Sequence, residues 1–248
     1  KLFLYNRNRG INNMKYNILG DSDCPMIHIT MQENETIRVE RGAMVYMQNI
    51  ELQGKMNTNK SGISGFLSAL GRSMTSGESF FVTEAKAQQN NAYLGIAPAT
   101  AGKIRVLQLD NEHQYCLNTG CFLACDGSVQ YNMRRQDLGK ALFAGTGGLF
   151  IMETTGTGNL LISSYGDLIE INVTQGAPVT IDNQHVVAWE NTLDYDLDIA
   201  SGTFGFTSGE GVVNHFKGNG KVWIQTRNIR SLADALIPYL PTQTSSSN

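Results

Sequence analysis

Ser76-Gly77-Glu78-Ser79-Phe80-Phe81-Val82, Thr146-Gly147-Gly148-Leu149-Phe150-Ile151-Met152 and Ser208-Gly209-Glu210-Gly211-Val212-Val213-Asn214 are three writings of one hairpin opening. Their anchoring glycines stand 70 and 62 residues apart (147 − 77 and 209 − 147). A unit recurring at such a spacing sets an architecture before any single side chain does. Each opening runs into a short apolar strand and then a turn: Gln88-Gln89-Asn90-Asn91, Gly156-Thr157-Gly158-Asn159 and Gly218-Asn219-Gly220. Gly and Asn tolerate the positive φ that tight hairpins require. The return strands are Ala92-Tyr93-Leu94-Gly95-Ile96, Leu160-Leu161-Ile162 and Val222-Trp223-Ile224-Gln225.

Each late hairpin has an earlier partner. Thr36-Ile37-Arg38-Val39-Glu40 alternates with period two, the mark of a half-buried strand, and turns through Arg41-Gly42 into Ala43-Met44-Val45-Tyr46-Met47. The second version runs from Tyr115-Cys116-Leu117 into Cys121-Phe122-Leu123-Ala124-Cys125, the third from Val179-Thr180-Ile181 into His185-Val186-Val187-Ala188-Trp189. Connecting strands at 103–107 and 167–173 precede the later versions. The sequence therefore predicts three units of about six short strands each.

These residues resemble a family. The glycine-anchored openings and the stretch Thr207-Ser208-Gly209-Glu210-Gly211 through Val222-Trp223-Ile224-Gln225-Thr226 look like the mitochondrial-biogenesis family called altered inheritance of mitochondria twenty-four. The likeness covers roughly Met14 to Leu240. It implies a fold similar to the tryptophan RNA-binding attenuation protein: all-β, three tandem short double-stranded β-helix repeats in a pseudo-threefold arrangement, with a short C-terminal helix. It also implies homotrimers that place nine repeats in a ring, and it offers no catalytic residue to carry over; no cofactor and no metal are expected. The expected organisation is a single three-repeat domain over 14–240, with repeats at about 14–100, 101–165 and 166–230. Residues 1–13 read as an appended or upstream extension before a start at Met14. The tail at 241–248 is expected to be disordered.

Composition narrows the class. With 41% hydrophobic residues over 248 positions, the chain can bury a sizeable core. A net charge of −3 argues against general nucleic-acid binding, which usually needs a basic face. Arg134, Arg135, Arg227 and Arg230 are too few for such a stripe. No apolar run reaches the roughly 18 residues of a membrane span, and no secretory pattern is visible, so a cytoplasmic location is expected.

Cys116, Cys121 and Cys125 near His113 could hold zinc, but no Cys-x-x-Cys knuckle is present. Cys121 and Cys125 lie four residues apart on a strand, roughly 13 Å, too far to share an ion without a bend. Buried reduced thiols are the expectation. The clusters at Gly145–Gly148 and Gly156–Gly158 lack the helix a phosphate loop requires, so they read as hairpin punctuation. His28, His113, His185 and His215 are scattered, with no nucleophile-elbow context. Glu190, Asp194, Asp196 and Asp198 read as a solvated strand edge that discourages aggregation. Trp223, between Val222 and Ile224, is expected to pack.

Apolar excursions leave the strand pattern at one place in each unit. Ile63, Phe66, Leu67 and Leu70 follow helical spacing; Leu138 and Leu142 give a shorter version; Phe204 and Phe206 are Gly-interrupted. They are either plugs of the β-structure or a candidate interaction patch for a subunit, a protein partner or a membrane surface. Ser231 to Ile237 is predicted as a short helix capped by Ser231 and stopped by Pro238. Two functional readings follow: a non-enzymatic oligomeric scaffold or interaction protein, and a small-ligand or RNA-binding ring by analogy with the attenuation-protein fold.

Overall fold

The computed structural model describes residues 14–20, 23–56, 81–136, 149–199 and 211–240. The structure is predominantly β. The chain begins with β1 (Lys15–Leu19), β2 (Met26–Met31), β3 (Thr36–Glu40), β4 (Met44–Gln48), β5 (Ile50–Met56), β6 (Phe81–Ala87) and β7 (Ala92–Ile96), of which β2 and β3 alternate between buried and half-buried positions. The chain continues through β8 (Ile104–Leu109), β9 (Tyr115–Asn118), β10 (Phe122–Asp126), β11 (Gln130–Gln136), β12 (Leu149–Thr155) and β13 (Gly158–Ser163). It ends with β14 (Leu168–Val173), β15 (Val179–Asp182), β16 (Val186–Glu190), β17 (Asp194–Ile199), β18 (Val212–Lys217), β19 (Gly220–Gln225) and the helix α1 (Ile229–Leu236). No helix among the described residues is long and apolar enough to cross a membrane.

Among the described residues four sheets form, in the orders β1-β2-β7-β4, β5-β6-β3-β10-β13-β8, β11-β12-β9-β16-β19-β14 and β15-β18-β17. Every pair of these strands among the described residues is antiparallel. The expected turns form, with positive φ at Asn91, Gly156 and Gly218, but they do not close hairpins: β6 and β7, β12 and β13, and β18 and β19 lie in different sheets, so each turn carries the chain from one sheet to another. A register slip recurs where β4 meets β7, β10 meets β13 and β16 meets β19, at Met44/Tyr46, Phe122/Ala124 and Val186/Ala188. Such bulges increase local twist and redirect the side chains that follow.

Among the described residues the core comprises three buried clusters that cross between distant segments. One joins Ile27, Ile29, Ile37, Val39 and Leu94 with Leu123 and Leu161. A second joins Leu117, Phe122, Cys125 and Leu160 with Val187 and Trp223. The third joins Cys116 and Ile151 with Trp189, Phe216 and Val222. Size is exchanged across the slipped pairs. Tyr46 lies over Gly95, where an added Cβ would meet its ring at 2.5 Å. Ala124 instead faces Leu161, and Ala188 faces Trp223.

The C-terminal helix starts earlier than Ser231. Asn228 is its cap, accepting the Ser231 backbone N–H through its side chain. Asn caps as well as Ser, and here it stands where the chain leaves the sheet at Thr226. The α-helix ends at Leu236, two residues before Pro238, and continues as a 3-10 turn.

Trp223 packs, as expected. It is buried, meets Tyr115 edge-to-face at a 5.7 Å centroid distance, and its Nε1–H donates to Glu170 Oε2 at 3.2 Å. Its neighbour Val222 is buried too, so both faces of β19 are covered there. Trp223→Ala should destabilise the protein by about 3–5 kcal/mol in chemical denaturation. A loss below about 1 kcal/mol would mean that the neighbours collapse into the space or that the ring is dispensable.

Candidate interaction edges

The predicted patch residues Ile63, Phe66, Leu67, Leu70, Leu138, Leu142, Phe204 and Phe206 all lie outside the described residues. The described surface offers other candidates, found by comparing strands that hold the same place beside a neighbour.

β4 lies beside β7, β10 beside β13 and β16 beside β19. β10 and β16 each have a second neighbour, β3 and β9 respectively. Phe122, Leu123 and Cys125 of β10 are completely buried, and Val186, Val187 and Trp189 of β16 are buried as well. β4 ends its sheet. At the positions set by the same bulge it carries Met44, Val45 and Met47, which are 41%, 54% and 43% exposed. Three apolar side chains on one open strand edge are both a packing deficit and a template for strand addition.

β15 is the complementary case. β3 has neighbours β6 and β10, and β9 has neighbours β12 and β16. β15 pairs with β18 and has no second strand among the described residues. Its outer edge presents Val179, Thr180 and Ile181. The edge strand β17 is different in chemistry: Asp194, Asp196 and Asp198 are exposed along it, and Asp196 pairs with Lys217 at 2.8 Å. Charge blunts that edge, whereas apolar residues line β4.

A second apolar surface lies on α1 and the turn after it. Ile229, Leu232, Leu236, Ile237, Tyr239 and Leu240 are all exposed, on a strongly amphipathic helix. Sequence reading placed the helix but missed this face, although the spacing 229, 232, 236 was available.

The remaining candidates concern polar chemistry. A cleft of about 810 Å³ is lined by Arg134, Gln136, Glu153, Trp189 and Tyr195, among others. Arg134 Nε donates to Glu153 Oε1 and its Nη2 to the Tyr195 hydroxyl, both at 2.6 Å. Gln136 Nε2 donates to the same hydroxyl at 3.3 Å. Gln136 Oε1 and Trp189 Nε1 are buried without a hydrogen-bond partner. The thiols do not converge: Cys116 sits in one core cluster, Cys121 and Cys125 in another. Burial pushes each up to about 12, so none is a ready nucleophile. Among the described residues no three His, Cys, Asp or Glu side chains are grouped to hold a metal. His113 forms an exposed pair with Asp110, and His28 Nδ1 meets the Tyr46 hydroxyl at 2.8 Å.

Asp126 closes the β3–β10 junction, where it stands opposite Ile37. It is buried, and its Oδ1 and Oδ2 accept the backbone N–H groups of Met14 (2.8 Å) and Asn159 (2.6 Å). The neighbouring Gly158 has φ +139, and a Cβ there would lie 2.9 Å from Asp126 Oδ2, so glycine is needed for this approach. Burial outweighs the two hydrogen bonds and lifts the carboxyl to about 6.

Comparison with known proteins places this architecture. Residues 16–227 match the family described as mitochondrial biogenesis AIM24. An uncharacterised protein of Streptococcus pyogenes serotype M6 is 44% identical over 233 residues, covering 93% of each chain. The crystal structure of a Streptococcus pyogenes protein superposes with a TM-score of 0.77 at 41% identity, covering 92% of this chain and 100% of that one.

Asp126 supplies a pH test. An unfolded aspartate titrates near 4. A folded value raised to about 6 favours the protonated form. Its stabilising contribution is full below about 4 and is lost as pH rises through about 6. Relative to Asp126→Asn, the wild type should therefore gain about 1–3 kcal/mol in denaturant unfolding as pH falls from 7.5 to 4.5. Parallel stability profiles for the two proteins would contradict this.

Proposed function

We propose that this chain, which belongs to the mitochondrial biogenesis AIM24 family, is a non-enzymatic scaffold that works by self-association. The observation that carries the reading is the contrast between β4 and its counterparts β10 and β16: apolar positions covered twice within the chain stand open on β4. The same reading takes the chain as three versions of one six-strand unit, β2–β7, β8–β13 and β14–β19, arranged as pseudo-threefold double-stranded β-helix repeats. The recurring bulge and the recurring order of strands support it. A homotrimer with nine units in a ring is the assembly the family resemblance implies. The apolar face of α1 supports a further contact once copies associate, with a neighbouring copy, another protein or a membrane surface.

The cleft favours one second reading. Two buried polar atoms without partners, Gln136 Oε1 and Trp189 Nε1, belong to residues lining it and suit a small ligand with both a donor and an acceptor. Native mass spectrometry of freshly purified protein separates the two, since a co-purified small mass on every chain favours the ligand.

Light scattering tests the scaffold reading. At micromolar concentration the wild type should scatter as a multiple of the 27.2 kDa chain, with three as the expected multiple. Val45→Lys combined with Met47→Lys should give the single-chain mass with an unchanged far-ultraviolet circular dichroism spectrum, because charge on an open edge blocks strand addition without touching the core. A monomeric wild type would contradict the reading.

A further inference from the structure

We propose that β15 of one copy adds antiparallel to β4 of the next, with Ile181 opposite Tyr46, Thr180 opposite Met47 and Val179 opposite Gln48. This rests on the self-association reading above and names its partner surface and register.

The register is transferred from two junctions inside the chain. At the first, Val39, Arg38 and Ile37 of β3 face Ala124, Cys125 and Asp126 of β10. At the second, Leu117, Cys116 and Tyr115 of β9 face Ala188, Trp189 and Glu190 of β16. The positions on β4 follow from the shared bulge: Tyr46 stands directly after the slip, as Ala124 and Ala188 do. The positions on β15 follow from the turn into the next strand. The backbone N–H of Ala43 donates to Glu40 O, and that of His185 to Asp182 O, which aligns Asp182 with Glu40. Ile181 therefore takes the place of Val39 and Leu117. It is 7% exposed, and it alternates along the strand with exposed Thr180.

A backbone bond follows from the same transfer. Gly127 N–H donates to Thr36 O at 3.1 Å across the first junction, and Asn191 N–H to Gln114 O at 2.9 Å across the second. The equivalent bond joins Asn49 N–H to Pro178 O of the neighbouring copy. Proline lacks an N–H, but only its carbonyl is required here. Asn49 holds a positive φ of 56°, which turns the chain out of β4 at this point. The two edges are on different strands, so the contact is head-to-tail. Its repetition yields a ring if the rotation closes and a filament if it does not.

Disulfide trapping tests the register. Directly opposed residues of antiparallel strands have Cα atoms about 4.5–5.5 Å apart, within disulfide range. In a Cys24→Ser background, which removes the one exposed native thiol among the described residues, Met47→Cys with Thr180→Cys should give disulfide-linked multimers under mild oxidation. Neither single variant should do so. Cross-linking by Met47→Cys alone would show symmetric β4–β4 pairing and overturn the proposal. Cross-linking that needs Tyr46→Cys in place of Met47→Cys would overturn the register. In both cases association itself stands. A single-chain mass for the uncross-linked Cys24→Ser protein would overturn both the junction and the self-association reading.

Discussion

Along each of its edges a strand carries backbone N–H and C=O groups that call for a neighbouring strand. β10 and β16 meet that demand by lying between strands from separate stretches of the chain, β3 and β13 in one case, β9 and β19 in the other. Their apolar side chains are buried as well. The same demand explains why the core clusters mix residues far apart in sequence, with Leu123 and Leu161 among residues 14–96 and Trp223 among residues 82–162. Stability here is built at the junctions, and β4 and β15 are the strands at which the junction pattern stops.

Details at the junctions follow from the same constraint. The bulge before Tyr46, Ala124 and Ala188 re-aims the apolar residues that follow it. Small residues then sit opposite large ones, Ala188 against Trp223 and Gly95 beneath Tyr46, so interior volume is kept while side chains differ. Asp126 is the polar exception. It satisfies two backbone donors that would otherwise be buried unpaired, and the cost is a carboxyl that prefers to hold its proton near neutral pH.

Much of the strand pattern was legible locally. The alternation at 36–40 and the glycine- and asparagine-rich turns were read where the structure has them. What was missed depends on longer range. β1 and β2 have no turn signal as strong as those after β6, β12 and β18 and were not singled out. The hairpin openings align Val82 with Met152 and Asn214. In the sheets Met152 faces Leu117 and Asn214 faces Ile181, but Thr83, not Val82, faces Val39. The helix was placed, but Asn228 and not Ser231 caps it. The pairings β3–β10 and β9–β16 were not legible at all, because no local propensity encodes which distant edge a strand will meet. The proposed patch around Phe66 and Leu67 lies outside the described residues, and the edges that replace it as candidates became visible only through burial.

Amide hydrogen exchange in the native protein tests the central claim most directly. If β4 and β15 each gain a strand from a neighbouring copy, their outward-facing amides should exchange as slowly as those of β10 and β16, and should become fast in the Val45→Lys, Met47→Lys variant. Rapid exchange along β4 and β15 in the associated wild type, with β10 and β16 still protected, would show that copies associate elsewhere and that these edges remain open.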